Sequence, residues 1–411
     1  MPRSGCPRTD RSAAGARRTD LDLLRILICA AVILAHALLI FAAEPRYHLK
    51  SAEPSAFASV LYEFLRITTM PAFFTMAGWA AVVSLRRRGV ARFVRERGER
   101  VFLPLVVGVV LFGPVIKVIE LGQGRDMGLA GFRLVTPLHL DYLTFLPTYF
   151  HRINLLTWSH LWFLGYLFVI SLLGLPLLTW LAAREPSAAV PHPAWVYAPA
   201  LPLVLVLVGC GGYWPFFPSL YSDWANFTYF GLCFGFGGVL AVWPGFERRL
   251  ATEAPRLLLL ALAAFAGVVL CGESVAGRLF VAPAAWGFTG AALGYVGRYR
   301  PASTKLFTYL NEATLPVYIV HHVPLLLLGL AIVPLALPVA TRIVLTWLLA
   351  TAVSLAIYHF LIRPWRLMRY LMGMHAPANN LGHPSLTQHG PGGTPTRLGG
   401  LTSPRAIPQQ P

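Results

Sequence analysis

LDLLRILICAAVILAHALLIF, residues 21–41, decides the fold class. From Leu23 to Phe41 the only cationic or titratable polar side chains are Arg25 and His36. About 20 predominantly apolar residues is the length an α-helix needs to cross a hydrocarbon core of about 30 Å. Eleven residues of helix rise about 16 Å and turn through about 1100°, some 20° past three full turns. Arg25 and His36 therefore share one face, the arginine at the membrane edge and the histidine deep inside. Ionisable groups at that depth are costly and point to function. The plainer reading makes Arg25 a snorkelling anchor and His36 a hydrogen bonder between helices. Spacing alone leaves both readings open.

Similar runs recur at 57–85, 101–121, 158–182, 195–210, 224–243, 257–271, 279–296, 313–333 and 342–361. The sequence thus reads as an all-α polytopic membrane protein of about ten transmembrane helices. Composition agrees. Of 411 residues, 56% are hydrophobic and 12% charged, about half the charged share of a soluble domain. The net charge of +17 does not point to nucleic acid. Its cations cluster between apolar runs, as at Arg86, Arg87 and Arg88, and no zinc-finger or RNP motif accompanies them. Five cysteines without a CxxC pair read as small buried hydrophobes. Residues 1–20 are basic but lack the apolar core of a removable signal peptide.

Orientation follows the arginines. With the amino terminus inside, segments 86–100, 184–194, 244–256, 297–312 and the chain after 362 are cytoplasmic and carry most of the cations between spans. The opposite loops carry few cations and hold Glu44, Glu53, Asp126, Asp141, Asp223 and Glu273. Both termini are expected in the cytoplasm, with a basic segment at 1–20 and a membrane domain at 21–372. A disordered tail is expected at 373–411, rich in Pro, Gly, Ser and Thr.

Other polar residues stand out against the apolar background. His160 and Trp162 begin the fourth helix, where an interfacial tryptophan belt would account for Trp162. His321 and His322 lie within the ninth. Adjacent helical side chains diverge by about 100°, so that pair alone makes a poor metal site. No HExxH or similar ligand spacing is present, and no metal is expected. Glu63 with Arg66, and Lys117 with Glu120, read as self-satisfied i,i+3 ion pairs near outer helix ends. There is no GxSxG, Walker or dinucleotide glycine motif, and no Ser or Cys near His36 carries a recognised nucleophile motif.

Five segments in order resemble the membrane acyltransferase family 3. Its hallmark, Arg or Lys, ten residues, then His, matches Arg25 and His36. MPAFFTMAGW, residues 70–79, resembles the Pro-Phe-Phe-x-x-(Ser/Ala)-Gly element and aligns Gly78 with its small residue. RERGERVFLPL, residues 95–105, resembles the Arg-x-x-Arg element at Arg97 and Arg100. HLWFLGYLF at 160–168 and LPVYIVHHVP at 315–324 resemble later elements, the second aligning Tyr318 and His321. The first of that last pair is similar above all to the glucan-biosynthesis protein C branch.

The resemblance implies a bacterial inner-membrane O-acyltransferase with no tightly bound cofactor. Acyl-CoA would be the donor substrate, with its phosphates held by Arg25, Arg97 and Arg100 through bidentate hydrogen bonds. His36 would take the proton from an attacking hydroxyl. The acyl group would be of the acetyl or succinyl class, and the acceptor a hydroxyl of a periplasmic glycan. Glucan modification by succinyl transfer is what the branch implies. His160 would serve the acceptor side or orient the base. Acceptor specificity is expected in loop 122–157. Membrane lipid is the surrounding partner, no nucleic acid is implied, and a homo-oligomer is left open. Two rival readings stand beside this one. A proton-coupled small-molecule transporter would use His36, His321 and His322 as relays, with helices broken at Pro71 and Gly78 and at Pro316 and Pro324. A silent membrane scaffold would leave Arg25 and His36 without purpose.

Topology can be checked directly. Reporters fused after residues 95, 250 and 375 should read cytoplasm, and those near 130 and 218 the outside. An outside signal at 375 would break the ten-helix arrangement.

Overall fold

The computed structural model describes residues 18–374, apart from 129, 130, 215, 216, 221 and 300. Residues 1–17 of the basic segment and 375–411 of the expected tail lie outside the described residues.

Among the described residues eight helices are each long and apolar enough to cross a membrane, and counting each of two bent pairs as one span makes ten. Helices are the natural solution, because in hydrocarbon each backbone N–H and C=O must find its partner within the protein. In chain order the first three are α1 (Thr19–Phe41), α2 (Ala56–Arg88) and α3 (Val90–Gly122). A short antiparallel hairpin follows, β1 (Arg125–Gly128) paired with β2 (Gly131–Leu134), and then the surface helix α4 (Tyr142–His151). The first bent span is α5 (Ser159–Leu173) with α6 (Leu175–Ala182). After it come α7 (Pro193–Cys210), α8 (Trp224–Val242), α9 (Pro244–Cys271) and α10 (Val275–Arg298). The second bent span is α11 (Lys305–Val320) with α12 (His322–Ile332), and α13 (Val339–Ile362) completes the set. A last short helix, α14, covers Arg366–Leu371.

Each expected run finds a span, but several boundaries move. Segments 90–100 and 244–256, expected as loops, are helical. Their polar faces are compatible with helix: Arg92 pairs with Glu96 and Arg95 with Glu99, each four residues apart. An apolar run marks only the part of a helix that meets lipid, so these amphipathic extensions escaped it. Loop 122–157 likewise contains the hairpin and α4.

Local chemistry sets the ends of the long helices. Asp20 and Asp22 lie in the first turn of α1, where carboxylates favour the helix dipole. The Ser55 side chain caps α2 by accepting from the Ala58 N–H at 3.3 Å. Arg86, Arg87 and Arg88 close its last turn before Gly89, whose φ is 75°. Arg86 also donates from Nε to the Ala182 carbonyl at 3.1 Å, at the end of α6. Pro71 sits inside α2 without breaking it. The breaks fall instead at Gly174, between α5 and α6, and at His321, between α11 and α12, each bent by 63°. Of the two places the transporter reading names, the stretch between Pro316 and Pro324 holds the second break, whereas that between Pro71 and Gly78 is continuous helix.

Gly78 has a packing role. A Cβ there would lie 1.8 Å from the Phe234 carbonyl oxygen, and one at Gly237 would lie 1.8 Å from the Thr75 carbonyl oxygen. Helices α2 and α8 therefore touch backbone to backbone through a reciprocal pair of glycines, as small-residue membrane interfaces do. Gly78→Ala should destabilise the protein by about 1–3 kcal/mol through overpacking, read as a lower unfolding midpoint in detergent. Gly231→Ala on α8 should leave it unchanged, since nothing lies within 4 Å of a Cβ at that position. Equal midpoints for the two variants would refute the close crossing.

Candidate active site

Irregular backbone delivers the polar side chains. At the end of α1 the chain folds back over its own last turn, with the Ser51 N–H on the Ile40 carbonyl at 2.8 Å and that of Ser55 on the Phe41 carbonyl at 2.7 Å. Lys50 adds bonds to the Leu39 and Ala42 carbonyls, while burial, with the nearby Arg125 charge second, brings its pKa down to about 8. This fold-back buries Tyr47 and His48 beside His36. The bend at His321 lets two consecutive histidines reach one place from the joint of two half-helices. The start of α5 contributes Ser159 and His160 from a single 3₁₀ turn.

Four rings cluster around His36. Its centroid lies 4.8 Å from that of His322, 5.2 Å from His321, 6.3 Å from His160 and 6.2 Å from Tyr47. His160 and His322 stack face to face, 4.6 Å apart and 7° from parallel. Hydrogen bonds fix the tautomers. His36 Nδ1 lies 2.8 Å from the Val32 carbonyl, which can only accept, so Nδ1 carries the proton. His321 Nδ1 donates to the Tyr318 carbonyl at 2.6 Å, and its other nitrogen stands 3.4 Å from His36 Nδ1. The neutral His36 ring thus keeps the lone pair on Nε2, the atom a general base needs. His160 Nε2 donates to the Ile319 carbonyl at 2.9 Å, and the Tyr318 hydroxyl donates to the His160 carbonyl, locking α5 to α11. His160 Nδ1, both ring nitrogens of His322 and the Tyr47 hydroxyl are buried and unpaired within the described residues. Such atoms in a native site call for a ligand or water.

Beside the cluster lies a chain of buried charge. His48 Nδ1 donates to Glu120 Oε2 at 2.6 Å, and His48 Nε2 stands 2.7 Å from Ser159 Oγ. Glu120 Oε1 accepts from Lys117 Nζ at 2.6 Å and from the Met127 N–H. Lys117 reaches Asp126 Oδ1 at 3.0 Å, and Arg133 also pairs with Asp126. Lys117 and Glu120 are wholly buried. The expected ion pair exists, but it is not self-contained, because it holds His48 and the β-hairpin as well. Glu63 and Arg66 pair as expected, with 2.7 Å between Arg66 Nε and Glu63 Oε2.

Several of these groups line one cavity of about 700 Å³, which reaches the surface beside the exposed Glu273. His36, His48, Ser159, His160, Trp162, Tyr318 and His322 all contribute to its wall. So do Met127, Gly128, Leu156 and Thr157 from the long loop. Neither His321, whose ring packs against that of His36, nor Gly78 is part of the lining. Arg25, Arg97 and Arg100 are not part of the lining. They lie at the other end of the bundle, near the start of α1 and in the π-helical turn region of α3. Arg25 meets Asp22 at 3.5 Å, Arg97 covers the Phe93 ring at 4.8 Å, and Arg100 donates to the Gly373 carbonyl at 3.3 Å. Arg25 and Arg100 are close enough to feel each other's charge.

A metal could be accommodated. Ligand nitrogens of His36, His321 and His322 all lie within 4.8 Å of one another, and imidazole nitrogen suits zinc or copper. The adjacent pair alone pointed away from such a site; α1 supplies the third member. Sequence reasoning also passed over Tyr47, His48 and Ser159, which sit in short polar segments without a motif. One signal was available. LFGPVIKVIELG, residues 111–122, carries Lys117 and Glu120 in an apolar run, and intramembrane charge points to function as strongly there as at His36.

Comparison with known proteins adds a family. Residues 18–360 match the acyltransferase domain family. Relatives include proteins named Glucans biosynthesis protein C from Salmonella heidelberg, Salmonella paratyphi B and Salmonella enteritidis. Each is 25% identical over 349 residues, covering 79% of this chain and 86% of the relative.

Proposed function

The chain belongs to the acyltransferase family that its residues 18–360 match, and from that premise we propose a reaction across the membrane. An acyl group of the acetyl or succinyl class is taken from cytosolic acyl-CoA and delivered to a hydroxyl of a periplasmic glycan, in the bacterial inner membrane. The observation that carries this reading is His36, with an unengaged Nε2, in a cavity open at the end of the bundle opposite Arg25. The relatives' printed name, which refers to glucans, supports a glycan acceptor.

Arg25, Arg97 and Arg100 take the donor's phosphates, for which fixed guanidinium forks are suited. The slender pantetheine arm then runs beside α1, about 16 Å from Arg25 to His36. The acceptor enters the cavity from the other side, past the long-loop residues Met127, Gly128, Leu156 and Thr157. His36 Nε2 takes the proton of its hydroxyl as the oxygen attacks the acyl carbon.

His36→Ala should lower turnover by at least about 10²-fold, the low end of general-base contributions. His36→Gln should be equally inactive, because an amide keeps a hydrogen bond but cannot act as a base. Arg25→Ala and Arg100→Ala should each weaken acyl-CoA binding by roughly one to two decades, the value of a charge-assisted hydrogen bond of about 1.5–3 kcal/mol. Arg25→Lys should restore part of the loss. The assay is transfer from radiolabelled acyl-CoAs to glycans by purified protein, with donor affinity measured alongside. A well-expressed His36→Gln protein with near-normal transfer would sink the base assignment. Unchanged donor affinity in both alanine variants would move phosphate recognition elsewhere.

A further inference from the structure

The hydrogen bonds around His48 have an order familiar from hydrolytic enzymes: carboxylate, imidazole, serine hydroxyl. Glu120 Oε2 can only accept, so His48 Nδ1 carries the proton. The neutral ring then offers its lone pair at Nε2, and the Ser159 hydroxyl 2.7 Å away donates to it. Glu120 is held in turn by Lys117 and the Met127 N–H. A serine bonded to a base that a third group orients is the geometry of an activated nucleophile.

Two independent features single out Ser159. Among the described residues it is the only one besides glycine with a positive φ, at 43°. That region is rare for a side chain with a Cβ, and such strain gathers at functional sites, including nucleophile turns between elements. Ser159 also lines the cavity together with Tyr47, His48 and His322. The Tyr47 hydroxyl and the His322 ring nitrogens are buried and lack partners among the described residues. Their rings lie 5.4 Å and 5.2 Å from that of His48. A hydroxyl and one imidazole N–H thus stand ready to meet a developing oxyanion.

We propose that Ser159, His48 and Glu120 form a nucleophile–base–carboxylate triad, and that Ser159 carries the acyl group as an ester between donor and acceptor. This rests on the acyl-transfer reading and divides it into two steps. In the first, Ser159 Oγ attacks the thioester carbonyl as its proton passes to His48 Nε2. The Oγ–C bond forms, the C–S bond breaks, and coenzyme A leaves as the thiolate. Glu120 stabilises the imidazolium that results. In the second, the acceptor hydroxyl gives its proton to His36 Nε2 and attacks the ester carbonyl. The C–Oγ bond breaks and His48 returns its proton to Ser159. His36 then releases one proton to water, which balances the thiolate. Glu120 acts through His48 and is a positioning residue. Two stages suit a donor and an acceptor that approach from opposite ends of the bundle, because they need not be bound together.

The test uses the full chain in lipid nanodiscs with two probes. A fluorophosphonate, which modifies activated serines whatever the natural donor, should label the peptide containing Ser159. Radiolabelled acetyl-CoA or succinyl-CoA, added without acceptor and quenched in acid, should label the same peptide. That label should resist neutral hydroxylamine and yield to alkaline hydroxylamine, as an oxygen ester does. Ser159→Ala should lose both labels and lower turnover by at least about 10³-fold. Ser159→Cys guards against a folding defect, because its label should become sensitive to neutral hydroxylamine, as a thioester is. Glu120→Gln should slow fluorophosphonate labelling without moving its site. Fluorophosphonate labelling at Ser159 without transfer from either coenzyme A ester would keep the triad and overturn the donor reading. Acyl transfer by the wild type with Ser159 unlabelled by both probes, or a Ser159→Ala protein within about threefold of wild-type turnover, would overturn the triad.

Discussion

In hydrocarbon an unpaired backbone group costs several kcal/mol, so a spanning helix is interrupted only where protein or a polar cavity covers the break. Of the ten spans counted among the described residues, two are interrupted. At one break the His321 N–H still bonds the Val317 carbonyl at 3.0 Å, and the Leu325 N–H bonds that of His321. The bend therefore leaves these backbone groups satisfied and re-aims two imidazoles. The placement of His36 matters because of this bend. Without it, His321 and His322 would diverge on a continuous helix, and the cavity would lose the ring that stacks on His160.

The same economy governs charge. A buried ion pair stabilises little against a well-packed apolar alternative, but loss of one partner strands the other at a cost of about 3–5 kcal/mol. Lys117, Glu120, Asp126 and His48 form a set in which each member satisfies the next. That set ties α3 to the β-hairpin and to the fold-back after α1. The residues that hold the cavity's shape are thus the same ones that orient His48. Backbone contact between α2 and α8 at Gly78 and Gly237 supports the frame from a distance.

The spans were legible because lipid imposes a simple rule on composition, and His36 was legible because a lone imidazole in an apolar run violates it. Tyr318 and His160 were reached through resemblance to a family, and His321 both that way and as an intramembrane imidazole; the structure brings His160 and His321 to His36 and ties Tyr318 to the His160 carbonyl. His48 and Ser159 were not legible. Their roles depend on partners far away in the chain, Glu120 for one and His48 for the other, and on a fold-back that no periodicity announces. Gly78 was noted as a site candidate, but its small size serves a helix crossing. Arg25, Arg97 and Arg100 share one end of the bundle, as the alternation of basic segments required, with Arg97 and Arg100 in a helical extension that hydropathy read as a loop.

Donor and acceptor are proposed to reach His36 from opposite ends of the bundle. The most direct measurement is a cryo-EM structure of the protein in nanodiscs with a dethia analogue of acetyl- or succinyl-CoA, whose thioester sulfur is replaced by carbon. The nucleotide phosphates are expected on Arg25, Arg97 and Arg100, and the acyl carbonyl beside His36 and Ser159. A nucleotide seated at the Glu273 end of the cavity, or an acyl carbonyl remote from both side chains, would contradict this placement.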